Sequence, residues 1–143
     1  MLQRHCICDS KLGMKTTAAL LVVLSLAACR DDETVAAYGG AGQNWHLLEI
    51  DGKPFTSRAT VTFPEAGKIA GQAPCNSYSG AMTAPYPWFE TGPLAATRAA
   101  CPDLAAERQF FAALGEMTLS EVSGKTMILN NQTGGEMVFE ARE

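Results

Sequence analysis

The stretch Gly71–Gly80 reads GQAPCNSYSG and is followed, about twenty residues later, by Thr97–Pro102, TRAACP. The first packs a cysteine, an asparagine and a tyrosine between two glycines. The second answers it with another cysteine. A glycine inside an extended run marks a bulge or a close backbone approach, so Gly71 is read as a place where the chain passes tightly against a neighbour. An Asn beside a glycine-flanked turn most often bonds backbone groups, and Asn76 is read that way.

Working outward, the residues before Gly71 carry short alternating or β-branched runs. Asn44–Ile50 (NWHLLEI) stops at Asp51-Gly52 and reads as a strand ending in a turn. Ala59–Phe63 is a second strand, and Lys68–Ala73 a third after the Pro64–Gly67 turn. Tyr78–Thr83 and Trp88–Thr91 are expected as a fourth and a short fifth, the last bracketed by Pro85, Pro87 and Pro93. The period then changes. Asp103–Leu114 has Leu104, Phe111 and Leu114 at helical spacing, with Asp103 as cap and Gly115 at the left-handed end position. Three strands close the chain: Met117–Val122, Thr126–Asn130 and Glu136–Glu140, joined by short hairpins that favour antiparallel pairing.

The first residues have a different character. Ala18–Ala28 is an 11-residue apolar run preceded by Lys15, which fits the core of a signal peptide and is too short to span a bilayer. It ends Leu26-Ala27-Ala28-Cys29, which resembles a bacterial lipobox. That resemblance implies cleavage before Cys29 and lipid on its sulfur. Met14 offers a compact alternative start. Residues 1–28 are therefore expected as a leader and signal peptide, 29–42 as a flexible acidic, glycine-rich tether, and 43–143 as the folded domain. A dozen flexible residues would hold the domain on the order of 20 Å from the membrane.

Of five cysteines, Cys6 and Cys8 leave with the leader and Cys29 takes the lipid. Cys75 and Cys101 remain, in a compartment where disulfides persist. They admit two readings, a structural bridge or reactive thiols. The 26-residue separation is not a Cys-x-x-Cys arrangement, and the bridge is preferred. His46 is the sole histidine outside the leader, so any triad or zinc site would have to use it; its place beside Trp45 in a strand reads as ordinary. Arg98 is read as a partner for a carboxylate, a cap on the helix–sheet contact, or a ligand contact. The formal charge of −4 gives no basic footprint for nucleic acid. No phosphate loop, nucleophile elbow or metal-ligand spacing is present, and no cofactor is expected.

Trp45-x-Leu47, Phe63, the Cys75-Asn76-x-Tyr78-x-Gly80 run, Gly92-Pro93-Leu94, Thr97-Arg98-x-x-Cys101-Pro102, and Phe110 with Leu114 together resemble the META domain family, which includes HslJ-like bacterial heat-shock lipoproteins. Ala99-Ala100 departs from the larger residue often found there. The resemblance implies an α+β, mostly β fold: a curved antiparallel sheet, a half-open barrel, with one helix packed across it. It implies a role in envelope or heat stress with no accepted catalytic residues. Trp45, Asn76, Tyr78, Gly80, Thr97 and Arg98 are then structural motif residues and candidates for binding.

The expected protein is a monomeric lipoprotein of the bacterial envelope. It would be anchored by Cys29 and lie at the outer membrane facing the periplasm, since Arg30 rather than aspartate follows the cysteine. It would bind a peptide, a protein or an acyl chain. The alternative is a periplasmic hydrolase or thiol-exchange enzyme using Cys75, Cys101 or His46.

Overall fold

The computed structural model describes residues 31–142; the leader, Cys29 and Arg30 lie outside them. Nine strands and one α-helix follow in order: β1 (Asn44–Ile50), β2 (Lys53–Pro54), β3 (Thr60–Val61), β4 (Lys68–Gln72), β5 (Ser77–Ala81), β6 (Ala95–Ala96), α1 (Leu104–Glu116), β7 (Leu119–Ser123), β8 (Thr126–Asn130) and β9 (Glu136–Arg142). They form two antiparallel sheets. The larger runs β2-β1-β9-β8-β7, with β3 also pairing β1; the smaller is β4-β5-β6. A single bridge, Thr62 to Ala70, joins them. The arrangement is mostly β and curved, and the sheet is not closed into a barrel.

The larger sheet follows the period of two that its sequence carries. Met127 and Leu129 on β8, with Met137, Phe139 and Ala141 on β9, all point inward and are buried. On β1 the alternation breaks: Trp45, Leu47 and Ile50 are buried. The register shifts between Leu47 and Glu49, so that Glu49 pairs Val138 and Ile50 pairs Met137. Leu48 is the extra residue, a bulge that returns Ile50 to the core face. Each such fully buried aliphatic or aromatic side chain contributes about 1.5–3 kcal/mol relative to exposure.

Four expectations are corrected. Trp88–Thr91 is not a strand; Trp88 makes one bridge to Leu119, and the third strand of the small sheet is Ala95–Ala96. The prolines flanking Trp88 remove donors that a longer ladder would need. The helix runs two residues further than expected, so Gly115 lies inside it and Met117 is its cap. Asp103 begins it through its backbone carbonyl, which accepts from Glu107 N at 2.9 Å, and makes no side-chain cap.

The fourth correction concerns the tether. From Thr34 onward it packs on the domain. Val35 is fully buried, and Ala36–Gly40 forms a helical turn. Trp45 Nε1 donates to the Gly40 carbonyl at 2.9 Å, and Tyr86 N donates to the Glu33 carbonyl at 2.7 Å. Acidic and glycine-rich composition hid one apolar side chain, Val35, and one ring, Tyr38, that stacks on Tyr86 with centroids 4.5 Å apart.

Candidate functional site

The two quoted stretches meet. Cys75 and Cys101 are bonded, with Cα atoms 5.7 Å apart. The bond ties the β4–β5 turn to the segment entering α1.

Beside it, Asn76 is buried and uses both ends of its amide. Its Oδ1 accepts from Ala99 N at 2.6 Å and from Thr97 Oγ1 at 2.9 Å. Its Nδ2 donates to Glu107 Oε1 at 2.7 Å and to the Ala99 carbonyl at 3.3 Å. Glu107 Oε2 accepts from Cys75 N at 2.9 Å. The amide thus fills two donor and two acceptor places, and the carboxylate of α1 clamps the turn that carries the cysteine.

Glu107 was not singled out from sequence. Its signal was there: 107, 110 and 114 share one helix face, and the structure buries Glu107, Phe110 and Leu114, whereas Leu104 is only half-buried. A carboxylate at the head of an apolar row is a group that needs partners.

Tyr78 and the glycines Gly71 and Gly80 brace the same junction. Tyr78 is buried; its hydroxyl donates to the Thr60 carbonyl at 2.8 Å, and burial raises its pKa. Its ring packs on Phe110 and Phe111, at centroid separations of 5.6 and 5.4 Å. Gly71 makes the expected close approach, because a Cβ there would overlap the Thr60 carbonyl. A Cβ on Gly80 would stand 2.7 Å from Leu94 Cδ2 and 3.0 Å from the Pro93 carbonyl. Trp45 is fully buried. Arg98 is exposed and outside the network; the ion pair found among the described residues joins Arg142 and Glu140.

Two open surfaces lie elsewhere. His46 lies on β1 in a shallow groove with Phe55, Arg58 and Arg142. Its pKa is lowered, first by partial burial and then by Arg142 and Arg58, with Glu140 opposing. A larger groove of about 1060 Å³ is bounded by Trp88, Phe89, Glu90, Glu116 and Thr133. Trp88 there is 53% exposed. Among the described residues no three His, Cys, Asp or Glu side chains are placed to hold a metal ion, and no helix is long and apolar enough to cross a membrane.

Solved structures share this architecture. A duf4847 family protein from Bacteroides vulgatus superposes with a TM-score of 0.62 at 12% identity, over 73% of this chain and 96% of that one. A protein from Burkholderia xenovorans, solved by NMR, gives a TM-score of 0.62 at 18% identity, over 92% of this chain and 99% of that one. At such identities the likeness is one of fold. A search of curated proteins finds no match to the chain. The sequence profile of the META domain matches residues 39–143, which takes in both sheets, the helix and part of the packed N-terminal turn. The chain belongs to the META domain family.

Proposed function

We propose that this META-domain protein is a lipid-anchored envelope protein that acts by binding, in the service of envelope or heat-stress tolerance, and not by catalysis. The observation that carries the reading is the Cys75–Cys101 bond. A thiol nucleophile needs a free thiolate and a base, and the bond consumes both sulfurs that such chemistry would use. The strongest polar cluster points the same way, because Asn76 and Glu107 spend their hydrogen bonds on holding the β4–β5 turn to α1. Partial burial, and then Arg142 and Arg58 against an opposing Glu140, disfavour the protonated form of His46.

Binding is then the work of a surface. The groove beside Trp88 combines an exposed indole with polar rims and suits a peptide, protein or acyl-chain ligand. Anchoring through Cys29 at the outer membrane completes the proposal, with the domain in the periplasm.

The test combines thiol counting with rescue. The purified protein, processed in bacteria, should show no free thiol from Cys75 or Cys101. His46→Ala, shown folded by circular dichroism, should restore stress tolerance to a deletion strain. A reactive thiolate, or a folded His46→Ala protein that fails to rescue, would return the enzyme reading.

A further inference from the structure

The packed N-terminal segment shortens the distance between lipid and domain. Only Arg30, Asp31 and Asp32 separate Cys29 from Glu33, whose carbonyl is already bonded to Tyr86 N. Thr34 N donates to Asp32 Oδ1 at 2.9 Å, which fixes the turn next to that first contact. Four residue steps span at most about 14 Å even when fully extended. A free dozen-residue tether would let the domain tumble on the order of 20 Å away. The short path instead fixes which end of the domain faces the bilayer.

That end carries the exposed aromatics. Tyr38 and Trp88, each 53% exposed, are the large hydrophobic side chains that the described residues leave in water. Tyr38 stacks on Tyr86. Tyr86 and Trp88 belong to one turn, closed by Trp88 N donating to the Pro85 carbonyl at 2.8 Å. So the residue that receives the chain from the anchor, Tyr86, is also the centre of the aromatic patch. Tyr and Trp rings pair an apolar body with a polar tip and settle at the headgroup level of a bilayer. Asp31 and Glu33 are exposed at the same place, and their charge opposes an anionic surface.

We propose that the Tyr38–Tyr86–Trp88 turn is a membrane-contact surface that seats on zwitterionic phospholipid headgroups, held there by the three-residue link to Cys29. The inference rests on the lipid-anchor reading above. Trp88 also borders the groove proposed above to hold a ligand, so seating brings that groove to the bilayer and favours an acyl chain as its ligand.

The test uses the full chain, processed in bacteria and reconstituted into phosphatidylethanolamine–phosphatidylcholine vesicles. Trp45 is fully buried, so changes in tryptophan emission report Trp88, and Trp88→Phe supplies the background. In vesicles, Trp88 emission should shift to the blue, be quenched by headgroup-level nitroxide lipid and be shielded from acrylamide. Inserting about ten Gly and Ser residues between Arg30 and Asp31 adds on the order of 15 Å of slack and should cut the lipid quenching by about twofold or more. Mass spectrometry of the same sample reads the modification of Cys29. An unmodified Cys29 would overturn the anchor reading and this inference with it. A lipidated Cys29 with Trp88 still open to acrylamide would overturn this inference alone, as would quenching that needs anionic lipid or that survives the insertion unchanged.

Discussion

The two sheets of this domain are held by different physics. In the larger one, β1, β8 and β9 bury alternate side chains against a common core, and the ladder between them is long. In the smaller one, Ile69 and Tyr78 are the buried residues, and β6 has none. Apolar burial that meagre does not order three strands by itself. What supplements it is covalent and polar: the Cys75–Cys101 bond, the Asn76–Glu107 clamp, and the Tyr78 hydroxyl on Thr60. Cys75, Asn76, Tyr78 and Cys101, read from sequence as structural, act as a brace where the apolar core is thinnest.

Removing the covalent tie should break the comparison most visibly. Cys75→Ser and Cys101→Ser should each cost about 3–4 kcal/mol, the loop-closure value for a bridge of this span. The double variant should cost little more than either single one, because one bond is lost in all three. Thermal melts give the totals. Hydrogen exchange gives the location: amides of β4 and β5 should open well before those of β8 and β9. Uniform acceleration across both sheets would mean that they share one stability after all.

Sequence patterns revealed the larger sheet better than the smaller. The short hairpin turns placed β8 to the residue and found most of β9, because such turns are local signals. The bulge at Leu48 had no local mark beyond an extra leucine. Gly71 announced its close approach, yet not its partner, Thr60. Glu107 was missed because its partners, Cys75 and Asn76, lie more than thirty positions away and no periodicity encodes such a contact. β6 is two alanines long, below anything a pattern can register. The segment 34–42 was taken for a tether because composition averages over a dozen residues, whereas its packing depends on single residues, Val35 and Tyr38 among them.

The seam between the sheets is sharpened by Gly71→Ala. The added methyl would meet the Thr60 carbonyl and crowd the Tyr78 hydroxyl, and overpacking of this kind costs about 1–3 kcal/mol. Because the neighbour is backbone, relief requires β3 and β4 to part. A melting temperature equal to that of the parent would show that the seam is soft. Glu107→Gln tests the polar clamp with nearly unchanged shape. One of the two accepting oxygens becomes a donor, facing either Cys75 N or Asn76 Nδ2. Leaving one such buried donor without an acceptor costs about 1–3 kcal/mol, and the loss should again localise to β4 and β5.

The smallest effect concerns the larger sheet and its one histidine among the described residues. His46 has a folded-state pKa below the ordinary histidine value of about 6.5, through partial burial and then the nearby Arg142 and Arg58, with Glu140 acting against them. The folded protein therefore binds this proton less readily than the unfolded chain does. Stability rises with pH wherever the unfolded state holds more protons. It follows that His46 contributes a loss of stability as pH falls through 6.5, which levels off once pH drops below the folded-state value. His46→Gln removes that contribution without removing the strand. Between pH 7 and pH 5, the variant's urea midpoint should fall less than the parent's, while the two differ little above pH 7. Arg142→Gln should move the histidine pKa upward in an NMR titration, and Glu140→Gln should move it downward. If His46→Gln and the parent show parallel pH profiles, the groove on β1 is too well solvated for its cations to matter.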